Sequence, residues 1–372
     1  MNRGNLRTLL FLAIGALMTG LIVAAYLTGF SKDLEHQTVD ARFSLRGTEK
    51  APTDLVFVDI DQRTFQVVDR QWPFPRAFHA RVVDRLRKDG ATVSGLDMQF
   101  TEQSDLGPED DNALILSCRA ARRCLIADTE PSPKGESNTF GGREGIKFAR
   151  AHIGDGRFPQ DRTGVVRQMG YDLASKLPTF AIVATEIADG RKISRSSLGG
   201  DRAWIDYYGE TGTIRTVPYY KVCNCAKGAK VQQAAPGIFK NAIVVVGSST
   251  SVLQDVHPTS IDHQMAGPEI QMNAIGTARR DFPLHDSPKW FDLLMIVLLG
   301  ALAPLCGIRL KLWALAVAGV AGVAYAVGTQ LAFNGGQVIS FIYPMAALVL
   351  SSAGSLAVHY VTEAYERERV RG

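Results

Sequence analysis

Asp59 and Asp61 close an apolar run, Leu55-Val56-Phe57-Val58-Asp59-Ile60-Asp61. In a strand alternate residues face one side, so both carboxylates would point the same way. A second apolar run, Ala91–Phe100, ends around Asp97. Open α/β sheets bind ligands beyond the C-terminal ends of their strands, and the three acids would meet there. Acids so placed suit a metal or a cationic ligand. They could equally cap loops and helices or pair with Arg76. That arginine follows Trp72-Pro73-Phe74-Pro75, where two prolines fix the backbone, and it opens a helix whose first N–H groups also favour an anion. Trp72 and Phe74 read as loop packing before ligand wall.

Gly247-Ser248-Ser249-Thr250 follows the strongest apolar run in the chain, with Asp255 and His257 behind it. There is no Gly-x-Ser-x-Gly elbow for a nucleophile and no Lys-Ser/Thr phosphate loop. His257 and His263 have no neighbours at metal-ligand spacing. The segment therefore reads as a polar pocket wall. The ligand-binding set is Asp59, Asp61, Arg76, Asp97, Ser248 and Asp255, with no catalytic residue, metal or cofactor assigned. Asp161-Arg162-Thr163-Gly164 reads as a tight turn into a strand.

The elements that must position these residues alternate. Leu55–Asp61 reads as a buried strand and Arg76–Asp89 as an amphipathic helix ended by Gly90. Ala91–Phe100 follows as a second strand, so the three form a βαβ unit. Glu109–Ala121 reads as a helix and Arg123–Asp128 as a strand. Residues 129–160, rich in Gly, Pro, Ser and charge, read as an excursion outside the core. Val165–Leu173 and Ala203–Tyr208 alternate like strands. Leu177–Asp189 reads as a helix, Asn241–Gly247 as a central buried strand, and residues 268–280 as a last helix with Pro in its first turn. The fold class expected is α/β, a central mixed, largely parallel sheet flanked by helices.

Both ends of the 372-residue chain are apolar. Thr8–Phe30 carries no charge over a length that suffices for roughly 20 residues of membrane crossing. It exceeds the ~7–15-residue core of a signal peptide, so an uncleaved anchor is expected. Three more spans follow, Phe291–Gly307, Leu312–Phe333 and Val338–Val358, making an α-helical bundle of four. Arg3 and Arg7, then Arg309 and Lys311, then Arg367, Arg369 and Arg371 flank alternate ends, which the positive-inside rule puts in the cytoplasm. The organisation expected is a cytoplasmic N-terminus and first span (1–30), an extracytoplasmic domain (31–290), three spans (291–358) and a cytoplasmic juxtamembrane helix (359–372). The segment Leu34–Gly47 could extend the first span outward as a stalk. The Gly319, Gly322 and Gly328 stripe of the third span would let helices approach closely.

The outer domain holds 34 Lys plus Arg against 33 Asp plus Glu, so it has no electrostatic footprint for nucleic acid. Four of the five cysteines, Cys118, Cys124, Cys223 and Cys225, lie in it. An oxidising compartment permits disulfides, and four cysteines allow three pairings that spacing leaves open. Local staples lead over reduced thiols or a zinc site.

Taken in order, the motifs VFVDID, WPFPR, GATVSGLDMQF, DRTGVVR, Tyr207-Tyr208-Gly209, VVVGSS with Asp255, and GPEIQMNAI resemble the type-two CHASE domain, the cyclase/histidine-kinase-associated sensory extracellular domain of bacteria. The resemblance spans roughly residues 33–285, and one span before with three after fits it too. It implies the input region of a multi-pass receptor in a bacterial inner membrane. The family's usual cytoplasmic outputs are a class III adenylate cyclase, a histidine kinase, a serine/threonine kinase or a diguanylate cyclase. No output follows the last span here, only HYVTEAYERERVRG. A shortened chain or signalling through a partner is therefore expected, with a cyclase the first expectation because Glu363–Arg371 resembles the lead-in helix of membrane cyclases. The partners expected are the bilayer, an extracytoplasmic ligand or protein, a second copy in a homodimer, and the output. A metal-dependent, membrane-anchored hydrolase or a ligand-free scaffold is the alternative.

Overall fold

In this computed structural model residues 3–226, 231–250, 253–310 and 312–371 are described. Lys311 and Gly372 lie outside the described residues, as do the side chains of Arg3, Arg369 and Arg371. The chain divides into two units, Met1–Arg46 with Leu284–Gly372, and Gly47–Pro283.

Two helices come first, α1 (Arg3–Thr28) and α2 (Lys32–Arg46). The Gly47–Pro283 unit then runs β1 (Leu55–Ile60), α3 (Gln62–Val68), α4 (Arg76–Asp89), β2 (Val93–Leu96), α5 (Pro108–Ala121), β3 (Cys124–Asp128), α6 (Arg143–Ala149) and β4 (His152–Asp155). It continues with β5 (Gln168–Gly170), α7 (Phe180–Asp189), β6 (Arg202–Trp204), β7 (Arg215–Pro218), β8 (Ile243–Ser248), β9 (Val256–His257), β10 (Met265–Ala266) and α8 (Gly267–Arg279). Six strands form one sheet in the order β4-β3-β2-β8-β1-β7, every neighbouring pair parallel. Each residue of β1 and β8 is buried, as expected of parallel strands covered on both faces.

On one face Val56, Val58 and Ile60 of β1 and Val244 and Val246 of β8 share a core with Val82, Val83 and Leu86 of α4 and Leu114 of α5. On the other, Phe180 of α7 fills the space that Gly95 and Gly154 leave open, and Pro268 of α8 lies over Gly247. The crossovers through α4, α5 and α6 thus share one face, while α7 and α8 hold the other. β8 enters between β1 and β2, and its own following helix lies opposite theirs. That reversal opens a crevice at the strand ends.

Three departures from the sequence reading concern this unit. Residues 129–160 are not wholly outside the core: they supply α6 and the edge strand β4. The other edge, β7, and the short α3 carry no periodicity long enough to detect. The alternating stretch Val165–Leu173 keeps only β5, paired antiparallel with β6.

The remaining unit adds β11 (His285–Asp286), α9 (Lys289–Leu310), α10 (Trp313–Asn334), β12 (Gln337–Val338) and α11 (Ile342–Arg371). Four stretches are long and apolar enough to cross a membrane: Leu6–Thr28, Lys289–Leu310, Trp313–Asn334 and Ile342–Tyr365. α1, α9 and α11 pack together and α10 lies on α9. The small-residue expectation needs correcting: Gly319 and Gly328 face open space, and only Gly322 of that stripe meets another helix, at Leu348 and Met345. The close approaches occur instead at Gly15 against Pro304, Gly300 against Thr19, Gly307 against Phe11 and Gly354 against Ile14. Nor does α2 continue α1, because left-handed residues at Gly29 (φ 70°) and Ser31 (φ 70°) break the helix. Instead the Glu35 carboxylate of α2 accepts the N–H groups of Phe341 (2.7 Å) and Ile342 (2.9 Å) at the start of α11.

Candidate functional site

β2 runs out at Leu96 and delivers Asp97, whose N–H donates to Val246 O at 2.8 Å. Two strands away β4 runs out at Asp155 and delivers Arg157 and Phe158. On the other side of β2, β8 exits through Ser248 toward Asp255, and β9 carries His257. These side chains, with Trp72 and Gln160, line a cleft of about 730 Å3 at the C-terminal end of the sheet.

Asp97 is half-buried and lines the cleft, packed between Gly247 and Gly156. Among the described residues nothing donates a hydrogen bond to its carboxyl and no cation pairs with it. Burial first, and the Asp255 charge second, push its pKa well above the carboxylate range. The Asp255 carboxylate lies against the Cα of Gly267, where a methyl group would collide with it. Gly267 opens α8, and the aligned backbone dipoles there favour an anion. His257 places Nε2 3.2 Å from Asp255 Oδ1 and Nδ1 3.3 Å from the Gln160 amide nitrogen. With the Gln160 amide donating to Nδ1, the Nε2–H donates to Asp255. Arg157 is already engaged, its Nε and Nη2 donating to Asp155 at 2.9 and 2.6 Å.

The remaining acids of this sheet end are partnered. Asp59 accepts from Ser249 N (3.0 Å) and Ser249 Oγ (2.8 Å). Burial outweighs those two bonds and, with the nearby Asp61 charge, raises its pKa to about 6. Glu269 accepts from Gly212 N at 2.8 Å, yet burial raises it to about 7. Asp61 caps α3, accepting from Thr64 N (2.7 Å) and Thr64 Oγ1 (2.6 Å). Arg76 reaches none of these acids. Its Nε lies 3.4 Å from Asp111 and its Nη2 3.1 Å from Glu102 O, over the Phe100 ring. Its backbone N–H, with that of Ala77, is capped by Asp110 from α5 at 2.8 and 2.9 Å.

Of the six residues expected to bind ligand, the structure brings Asp97, Ser248 and Asp255 to one cleft. Ser248 donates to Ile60 O (3.0 Å) and meets Thr250 Oγ1 (3.0 Å), so it shapes the wall. Asp59 lies one strand over, and Asp61 and Arg76 serve helix ends. Trp72 lines the cleft while Phe74 is buried in the core. Arg157, Phe158 and Gln160 were not among the expected site residues, because the stretch that holds them reads as an excursion. Their only signal was a four-residue strand, His152–Asp155, too short for periodicity. At the Asp161 turn, that carboxylate accepts from Thr163 N and pairs with Arg167.

Among the described residues no three His, Cys, Asp or Glu are grouped to hold a metal. The cysteines pair as Cys118–Cys124, which joins the end of α5 to β3, and Cys223–Cys225.

The CHASE2 domain family matches residues 16–305. The chain belongs to the CHASE2 family. CHASE2 domains are sensory extracellular domains, which is consistent with a sensor role for this CHASE2 chain. No curated protein and no solved structure matches it.

Proposed function

We propose that this CHASE2 chain is the input region of a membrane receptor. Gly47–Pro283 lies outside the cytoplasm of a bacterial cell, and the four apolar helices cross the inner membrane. Both termini are cytoplasmic, since Arg7, Arg309 and Arg367 flank the ends that the positive-inside rule assigns there. The chain acts as a homodimer and passes its signal to a cytoplasmic output, a class III adenylate cyclase in the first instance. The observation that carries the reading is the crevice between oppositely wound strands, with the carboxyl of Asp97 in it, unpartnered among the described residues. A binding event there reaches the helices through the chain itself, because β1 follows α1 and α2, and α8 precedes α9. A ligand shifts such an equilibrium only by binding its two states differently, and a bistable helix packing must carry the change.

The test grafts an adenylate cyclase catalytic domain after Gly372 and measures cyclic AMP made by membranes. Asp97→Asn is expected to change the output at least twofold with the protein still folded, and Asp84→Asn, half-buried on α4 away from the cleft, is expected to leave it alone. Wild-type output from both Asp97→Asn and Asp255→Asn would remove the cleft from the signalling path.

A further inference from the structure

We infer that the cleft binds a small organic ammonium cation, its N–H groups held by Asp97 and Asp255 and its apolar body lying along Trp72 and Phe158. The inference rests on the cleft being the sensory site and adds the chemistry of what it senses.

Charge decides the sign of the ligand. Two carboxyl groups open to the cleft, while its guanidinium is already neutralised. Arg157 gives two hydrogen bonds to Asp155, which also accepts one from Ser175 Oγ at 2.8 Å. The helix N-terminus that could hold an anion has the Asp255 carboxylate against its first residue. Asp59 and Glu269 add further acids at the same sheet end, each bonded within the protein. A carboxyl without donors in a low-dielectric site is costly when ionised and uncompensated. A cation between Asp97 and Asp255 removes that cost and their mutual repulsion at once.

The lining decides the class of cation. A bare divalent ion takes six or more oxygen ligands or a tetrahedral N/S set, and among the described residues no group of three metal-ligating side chains exists. An alkylammonium needs only two or three acceptors. Its chain suits an aromatic wall, and ring faces attract cations. Trp72 and Phe158 supply aromatic surface, Phe158 with its ring 5.6 Å from His257. A cleft of about 730 Å3 falls within the range of small-molecule sites.

The experiment uses the full chain in lipid nanodiscs and isothermal titration calorimetry with butylammonium, 1,4-diaminobutane, butyrate and Ca2+. The two amines are expected to bind. Asp97→Asn and Asp255→Asn should each weaken them at least tenfold, and Trp72→Leu severalfold. The titratable and charged groups that line the cleft with Asp97 are Asp255, His257 and Arg157. Since Asp97 must shed a proton to meet the cation, amine affinity should rise with pH, with proton release seen as a dependence of the heat on buffer ionisation enthalpy. Binding of butyrate or Ca2+ in place of the amines, lost in Asp97→Asn, would overturn the ammonium assignment while leaving the cleft a ligand site. Absence of any binding, together with an unaltered cyclase output in Asp97→Asn, would bring down the sensory reading as well.

Discussion

Asp61 and Asp97 both follow the ends of neighbouring apolar runs, and their surroundings separate them. Asp61 has two donors from Thr64 and serves a helix start, whereas Asp97 has none among the described residues and faces a cleft. Loss of a capping carboxylate typically costs about 1 kcal/mol. Asp61→Ala is therefore expected to lower the melting temperature of the Gly47–Pro283 unit by about 2–4 °C and to leave amine binding intact. Unchanged melting with lost binding would return Asp61 to the site. Asp110 illustrates a cap that no local spacing encodes. It sits in the first turn of α5, yet it accepts the N–H groups of Arg76 and Ala77 at the start of α4. The Arg76 side chain is then drawn to Asp111 of the same turn, which keeps it from the strand-end acids.

β8 decides whether the sheet exists. It joins β2 to β1, and all its residues are buried. Val245 pairs with Phe57 on one side and Gly95 on the other and is fully buried. Aspartate there would face α7 and α8 without a partner, and an uncompensated buried charge costs about 3–5 kcal/mol. Val245→Asp should abolish folded protein in membranes, assayed by protease resistance of Gly47–Pro283. A variant as resistant as wild type would mean that β8 is not central. The two disulfides close short loops, and a loop of that size adds on the order of 2 kcal/mol in the chain-entropy account. They pin the α5–β3 junction and the segment after β7, not the strand order.

Across the molecule, the buried acids set how stability responds to pH. Asp59 at about 6 and Glu269 at about 7 lie above their ordinary 3.8 and 4.5, and Asp97 is raised with them. In each case the folded state holds its proton more tightly than the unfolded chain. The stability they contribute is complete below pH ~4 and is lost as pH rises through 6 and 7. Glu269 alone accounts for on the order of 3 kcal/mol of that change. Asp110, Asp161 and Asp262, whose donors outweigh burial, act in the opposite sense, their contribution falling away only at more acid pH. The Gly47–Pro283 unit should thus melt at a higher temperature at pH 5 than at pH 8, and Glu269→Gln should flatten the difference. A melting temperature that rises from pH 5 to pH 8 would contradict the burial of these acids.

Period and length of apolar runs are local properties, and they carried the four apolar stretches, the first βαβ unit, α5, α7, α8 and the central β8. Buried strands and membrane-length helices must be apolar whatever surrounds them, so their residues announce them. Strand order, the recruitment of β4 and β7 as edges, and the helix contacts at Gly15, Gly300, Gly307 and Gly354 depend on pairings between distant segments. The composition of a three- or four-residue strand does not record such pairings. The same holds for the candidate site. A strand-end aspartate is visible in the sequence, but its partners are not. Thr64 and Ser249 saturate two of the acids, Asp111 holds Arg76, and only the fold leaves Asp97 open beside Asp255. Whether a carboxyl is a cap or a site depends on which donors reach it, and that is settled by tertiary packing.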